Sequence, residues 1–532
     1  MISSIILASC LALPLASCSD SDAAPEQKDW STTTYFYSAD AAMQDTYYKP
    51  TVGYVGDPMP FFDPVAGDFK VLYLQDFRPN PEGTYHPIWG VSTKDAAHYT
   101  SLGELVSCGT KKSQDAAIGT GSTIYDESSK LYYTFYTGNK YLPTGDESAQ
   151  AVMVATSSDF KTWTKDRTFL LKGQDFGYDK NDFRDPFVFK GDDGKFHMLV
   201  STKKGGKGSL AEFVSDDLKN WTDNGVFMTM MWDRFYECPD LFKMGDYWYL
   251  VYSEIHHAVR RVQYFKGRTL DELKACTAND AGRWPDAHEG FLDSRGLYAG
   301  KTASDGTNRY LWGWCPTRSG KDNTAVGASP AEPEWGGNLV CYKLIQHEDG
   351  TLTLGQVDAV SEKYNQDVAV EVKESQNMTE ADGTYTLAGN AELPDAYMLM
   401  GRLGNHNKIS FTVTTSNEWD KFGISMVRGS DSKKYYTMVV NPESENNRKV
   451  NFEEQGVEGK GFIAGIDGYV FARPADNVYN ITIYTDNSIC VMYINDVCSY
   501  TNRIYGIQKN CWSIDSFNGA NVKVSNLKIS QY

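Results

Sequence analysis

Long apolar runs are missing from this chain. The one stretch that could meet a membrane, Ile5–Ser17, is broken by Pro14 and falls short of the roughly 20 residues that a helix needs to span a bilayer. It reads as an export signal and not as a spanning helix. Positive charge is also scarce: 51 Lys and Arg face 69 Asp and Glu, a formal net charge of −18. A field of that sign repels phosphate backbones and anionic lipid, which excludes nucleic acid as a partner. With only 19 Pro and 23% charged residues, the composition excludes a disordered or collagen-like chain. There is no C-x-x-C pair, no H-E-x-x-H and no G-x-x-x-x-G-K-S/T. Structural zinc, zincin chemistry and a phosphate loop are therefore not expected, nor is any metal or cofactor. His256-His257 and His288-Glu289 read as solvated or supporting histidines, and Lys203–Ser209 as a hairpin tip. Helical periodicity is rare, with Thr269–Cys276 the main candidate for one short helix.

Several features are abundant. The 532 residues exceed what one hydrophobic core usually organises, so two domains are expected. Aromatics make up 13% of the chain, which suits strands and sugar-stacking surfaces. The apolar N-terminal run ends Leu15-Ala16-Ser17-Cys18 and resembles a bacterial lipobox, which would make Cys18 the lipidated first residue of the mature protein. The Ser19-Asp20-Ser21-Asp22 that follows resembles the acidic tether of surface lipoproteins, although no Lys or Arg precedes Lys28. The expectation is an exported outer-membrane, cell-surface or periplasmic protein that meets a membrane only through its lipid. Apart from Cys10 and Cys18, the cysteines have no spacing that selects partners, and they read as mostly free and buried.

A repeat runs through the first two thirds. Ser157-Ser158-Asp159-Phe160-Lys161-Thr162-Trp163 returns as Ser215-Asp216-Asp217-Leu218-Lys219-Asn220-Trp221, and more faintly as Thr93–Tyr99. A second element keeps the same beat: Gly56-Asp57-Pro58, Gly119-Thr120-Gly121, Arg184-Asp185-Pro186 and Glu237-Cys238-Pro239. Each is followed by a turn and an aromatic strand such as Leu131–Tyr136 or Tyr247–Tyr252, and a fifth, looser copy covers Gly290–Trp314. The expected fold is all-β, a five-bladed β-propeller followed by a C-terminal β-sandwich. The expected boundaries are a signal peptide at 1–18, the propeller at 19–345, a linker at 346–375 and the sandwich at 376–532.

Equivalent starts of successive blades converge at one mouth of a propeller. Asp57, Asp185 and Glu237 occupy that start in blades one, three and four. Two carboxylates flanking a bond are what glycoside hydrolysis requires, with a third to steady the sugar. Phe61 and Trp232, beside these acids in sequence, lean toward the pocket, whereas Trp89, Trp284 and Trp335 could equally stack on sugar or fill blade interfaces.

The chain resembles the glycoside hydrolase family 32 β-fructosidases, the invertases, levanases and inulinases. The resemblance rests on Phe183-Arg184-Asp185-Pro186, Tyr236-Glu237-Cys238-Pro239, Thr120-Gly121-Ser122, Gln75, and Tyr298-Ala299 through Trp312-Gly313-Trp314. It implies a retaining hydrolase acting on fructans or sucrose. Asp57 would be the nucleophile, Glu237 the acid/base and Asp185 the stabiliser of the transition state. Arg184, Gln75 and Ser122 would contact the substrate, an oligo- or polysaccharide. Glu237 is expected to be the more desolvated acid, with Asp57 staying ionised. The family's first motif, usually N-D-P-N-G, is here Gly56-Asp57-Pro58-Met59-Pro60 and has lost both Asn. Two other readings stay open, a family 43-like inverting glycosidase on arabinose or xylose and a non-catalytic surface glycan-binding protein.

Overall fold

The computed structural model describes residues 46–77, 85–230, 235–254, 261–278, 290–318, 325–326, 329–330, 333–428, 434–442, 449–455, 462–463, 470–508 and 510–532. The signal segment with Cys18, and Trp232, Trp284, His256-His257 and His288-Glu289, lie outside the described residues.

Five antiparallel blades follow one another along the chain. Their innermost strands are Tyr54–Asp63, Ala117–Asp126, Phe183–Lys190, Glu237–Met244 and Tyr298–Ser304. Aromatic second strands fill the wedges between blades. Phe135 and Val154 of blade two pack with Phe183, Met198 and Phe213 of blade three. Leu199 and Leu210 of blade three meet Tyr236, Leu250 and Tyr252 of blade four. Blade five closes the ring, because its long strand Pro333–Gln346 pairs with blade one at Val55↔Gly337.

The sequence repeat has a local cause. Asp95, Asp159 and Asp217 each accept, on one carboxylate oxygen, the backbone N–H groups two and three residues ahead. The residue after each Asp, Ala96, Phe160 or Leu218, stands in the left-handed region at φ 58°, 60° and 62°. These are the same Asx turn used three times, which is why the motif recurs although the flanking strands diverge.

After the propeller, two sheets of eight strands each form the sandwich. In His406–Thr415 buried and half-buried residues alternate without a break, as expected of a strand with one face in the core. Met398, Ile409, Phe422, Met438, Ile481, Met492 and Trp512 fill the space between the sheets.

The span 346–375, expected as a linker, carries regular elements. Leu352–Gly355 pairs in blade five, and a short helix follows at Asp358–Lys363. Gln366–Val368 and Val372–Gln376 already belong to the two sandwich sheets. Their composition is polar because they are edge strands with exposed side chains. The helix expected at Thr269–Cys276 is present as Leu270–Ala278. All eight cysteines among the described residues are free, and five of them are buried.

The sandwich is bound to the propeller through buried polar groups. Arg503 donates to the carbonyls of Pro316 and Cys315, to Asn338 Oδ1 and to Ser488 Oγ, at 2.7–3.0 Å. Asp293 of the propeller accepts from Ser499 Oγ and from both the N–H and the hydroxyl of Thr501. Removing a buried cation that serves four acceptors leaves them unsatisfied. Arg503→Met is expected to lower stability by about 3 kcal/mol or more, read from guanidinium unfolding. Activity per folded molecule should be unchanged.

Candidate active site

Every innermost strand carries a β-bulge at the same place, next to the propeller mouth. The register slips at Gly56/Met59, Gly119/Gly121, Arg184/Phe187, Glu237/Asp240 and Tyr298/Lys301. A bulge leaves a residue out of the ladder and re-aims its side chain. Proline, which has no N–H to lose, is tolerated there as Pro58, Pro186 and Pro239. Asp185, Cys238 and Ala299 adopt positive φ of 58°, 51° and 53° at equivalent positions of three blades, a strain held by the surrounding strands.

The bulges bring the three predicted acids together. Asp57 accepts from Thr120 Oγ1 at 2.6 Å and from Trp314 Nε1 at 2.9 Å, one donor to each oxygen. Glu237 accepts from an Arg184 guanidinium nitrogen at 2.9 Å and, on its other oxygen, from the Tyr298 hydroxyl. Asp185 accepts from the Cys238 N–H at 3.0 Å, and its own N–H donates to Thr137 Oγ1. Arg184 is steadied by Asp182 at 2.7 Å and by the Phe235 ring, whose centroid lies 3.9 Å from the guanidinium carbon.

Burial sets Asp185 apart from the other two acids. Asp185 is the deepest, 4% exposed, while the Glu237 side chain keeps 15%. Burial pushes the Asp185 carboxyl up to about 7; the Arg184 charge works against that rise, and Glu237 and Asp57 add to it. Burial also raises Asp57 above the ordinary carboxylate value, opposed by its two hydrogen bonds. The reason is that the bulges turn Asp57 and Asp185 inward, whereas Glu237 precedes its bulge.

A raised acid has a clear sign in stability. Asp185 prefers its proton in the fold, so its contribution is complete below its unfolded value of 3.8 and is lost as pH rises toward about 7. Asp185→Asn removes the cost of burying the charge. The variant is expected to exceed the wild type by about 1 kcal/mol or more at pH 8, with the gap closing toward pH 4. Guanidinium unfolding of both proteins across that range checks it.

The other expected substrate contacts divide. Arg184 is in the site. Gln75 is fully buried and donates to the Val52 carbonyl at 2.5 Å. Ser122 ties blade two to blade three, donating to the Pro186 carbonyl and accepting from the Val188 N–H, both at 2.9 Å. Phe61 packs on Phe160 and Tyr132 within the wedge between blades. Among the tryptophans left undecided, Trp89 packs edge-on against Phe77 inside blade one. Trp335 stands beside Trp314, with ring centroids 6.0 Å apart, and stacks on His86 at 4.1 Å. A Cβ at Gly56 would fall inside the Trp335 ring, so this Trp fills the space that a side chain at position 56 would need.

Sequence reasoning did not assign Tyr298, Trp314, Thr120, Thr137 or Lys301. Tyr298 had a signal: it occupies in blade five the position that Glu237 occupies in blade four, immediately before the bulge.

Comparison with known proteins agrees with this architecture. The chain is 26% identical over 310 residues to the insoluble β-fructofuranosidase isoenzyme CWINV2 of Arabidopsis thaliana, covering 53% of this chain and 50% of that protein. It is 26% identical over 240 residues to the sucrose-6-phosphate hydrolase of Vibrio alginolyticus, covering 43% and 45%. These matches span about half the length of the curated relatives. Among solved structures, fructan 1-exohydrolase IIa from Cichorium intybus shares the fold at TM-score 0.65 and 17% identity, over 92% of this chain and 97% of that one. The Bombyx mori β-fructofuranosidase BmSUC1 does so at TM-score 0.64 and 16% identity, over 93% and 94%. Residues 350–529 match the family's "BT1760-like" C-terminal domain and residues 47–357 match the glycosyl hydrolases family 32 N-terminal domain, so the chain belongs to glycoside hydrolase family 32.

Proposed function

We propose that the protein is a retaining glycoside hydrolase that releases fructose from fructans or sucrose by double displacement. The observation that carries this reading is the convergence of Asp57, Asp185 and Glu237 from the bulges of blades one, three and four, with Arg184 and Tyr298 holding Glu237. Asp57 attacks the anomeric carbon of the fructosyl unit, and Glu237 delivers a proton to the departing oxygen. The bond to the leaving sugar breaks as the bond to Asp57 forms. Glu237, now ionised, takes a proton from water, and that water displaces Asp57. Thr120 and Trp314, donating to both oxygens of Asp57, fix its angle of attack and stabilise it again when it leaves. Asp185 accepts hydrogen bonds from the sugar hydroxyls as positive charge develops on the ring.

Family membership selects this reading over the family 43-like alternative. Sugar release from inulin, levan, sucrose and arabinan tests it. Fructose is expected from at least one of the first three and no pentose from arabinan; release of arabinose, or of no sugar at all, would reject the proposal. We further propose that a lipid on Cys18 holds the enzyme in the envelope, which the Leu15-Ala16-Ser17-Cys18 sequence supports. Cys18→Ala is then expected to move the protein from the detergent phase to the aqueous phase in a Triton X-114 partition.

A further inference from the structure

Beneath the three carboxylates lies a buried amine that the mechanism above does not use. Lys301 follows the bulge of blade five and is 2% exposed. Its ammonium reaches from blade five to blade two, donating to the Gly121 carbonyl at 2.8 Å, and it lies 5.2 Å from the centroid of the Phe187 ring of blade three. Gly121 closes the bulge that aims Thr120 at Asp57, and any side chain there would overlap the Phe135 carbonyl. Lys301 therefore grips the peptide next to the hydroxyl that orients Asp57. The carboxyl groups whose charge reaches it come from three other blades: Asp57 from blade one, Asp185 from blade three and Asp240 from blade four. Burial pushes the ammonium down from the ordinary lysine value, and these acids oppose that shift. Asp240 faces a second cation, Arg309, and accepts the Thr302 N–H at 2.7 Å.

We propose that Lys301 is a positioning residue of the active site, whose ammonium locks the Thr120 bulge against Asp57 and supplies the positive potential under the cluster of acids. One buried cation interacts with carboxyl groups from several blades and has its hydrogen bond to a backbone carbonyl, so it acts on the cluster as a whole. A partner within ion-pair distance would serve a single acid. This inference rests on Asp57 being the nucleophile.

The test compares the pH profiles of kcat/KM for wild type, Lys301→Met, Lys301→Gln and Lys301→Arg on the fructoside the wild type hydrolyses. Loss of the cation makes the acids harder to ionise. The acid limb is expected to move up by about one pH unit or more in the Met and Gln variants, and to stay near the wild-type position in the Arg variant, which keeps the charge. Gln keeps a donor for the Gly121 carbonyl, so it separates the charge from the hydrogen bond. Acid limbs of the Met and Gln variants that coincide with the wild type, with only thermal stability changed, would overturn the proposal. So would uncharged variants that fail to fold while the Arg variant folds with a displaced limb. Failure of the underlying mechanism looks different: Asp57→Asn would then keep activity whatever happens at Lys301.

Discussion

Asp57→Asn is expected to lower kcat by roughly four orders of magnitude or more while the protein stays folded. The substitution is nearly isosteric, and the amide oxygen can still accept from Trp314 Nε1 while the Thr120 hydroxyl turns to accept from the amide nitrogen. Packing around the site is untouched, so the unfolding transition should stay close to that of the wild type. The chemistry changes completely, because an amide cannot form and release the ester to the fructosyl carbon. Residual turnover then comes from positioning and from Glu237 alone. Fructose release followed over days, beside a thermal unfolding curve, measures both. Turnover within tenfold of the wild type would remove Asp57 from the reaction.

Glu237→Gln is expected to cost about three to four orders of magnitude on sucrose or fructan, through loss of the proton donor for a poor leaving group. The dependence on leaving group is the sharper signature. With fructosyl fluoride, whose departure needs little protonation, the first step should survive, while the second loses the base that activates water. A fructosyl-enzyme ester on Asp57 should accumulate and appear by mass spectrometry, and added azide, a nucleophile that needs no base, should restore turnover. Arg184 keeps an acceptor in Gln, so its contact with the site persists. Equal losses on sucrose and on the fluoride, with no trapped ester, would assign the proton to another group.

The parts of the fold legible in the sequence are those with local causes. The Asx turns at Asp95, Asp159 and Asp217 impose the repeat through contacts two and three residues long, so composition and spacing revealed the blades. The acids were visible because Asp57 and Asp185 lie beside a proline at a bulge, and Glu237 one residue away from one. The bulges themselves were not, since a register slip is a property of paired strands. That slip also sets the contacts of Ser122 and Phe61: each is close to a site residue in sequence, and the slipped strand turns one toward blade three and the other into a wedge between blades. Trp314 and Lys301 meet their partners only after blade five has closed onto blade one, through a pairing of Val55 with Gly337 that no local pattern announces, and Tyr298 meets Glu237 only where blade five packs on blade four. Gly56 illustrates both sides. The missing Asn was plain in the sequence, but the Trp335 ring that occupies that space is a contact between residues far apart in the chain.

The central claim is a double displacement at Asp57, and the anomer of the fructose first released reports on it most directly. Two successive inversions return the original configuration, so proton NMR begun within seconds of adding enzyme to the preferred fructoside should show β-fructofuranose ahead of its mutarotation products. α-Fructofuranose appearing first would mean a single displacement by water and would contradict the account.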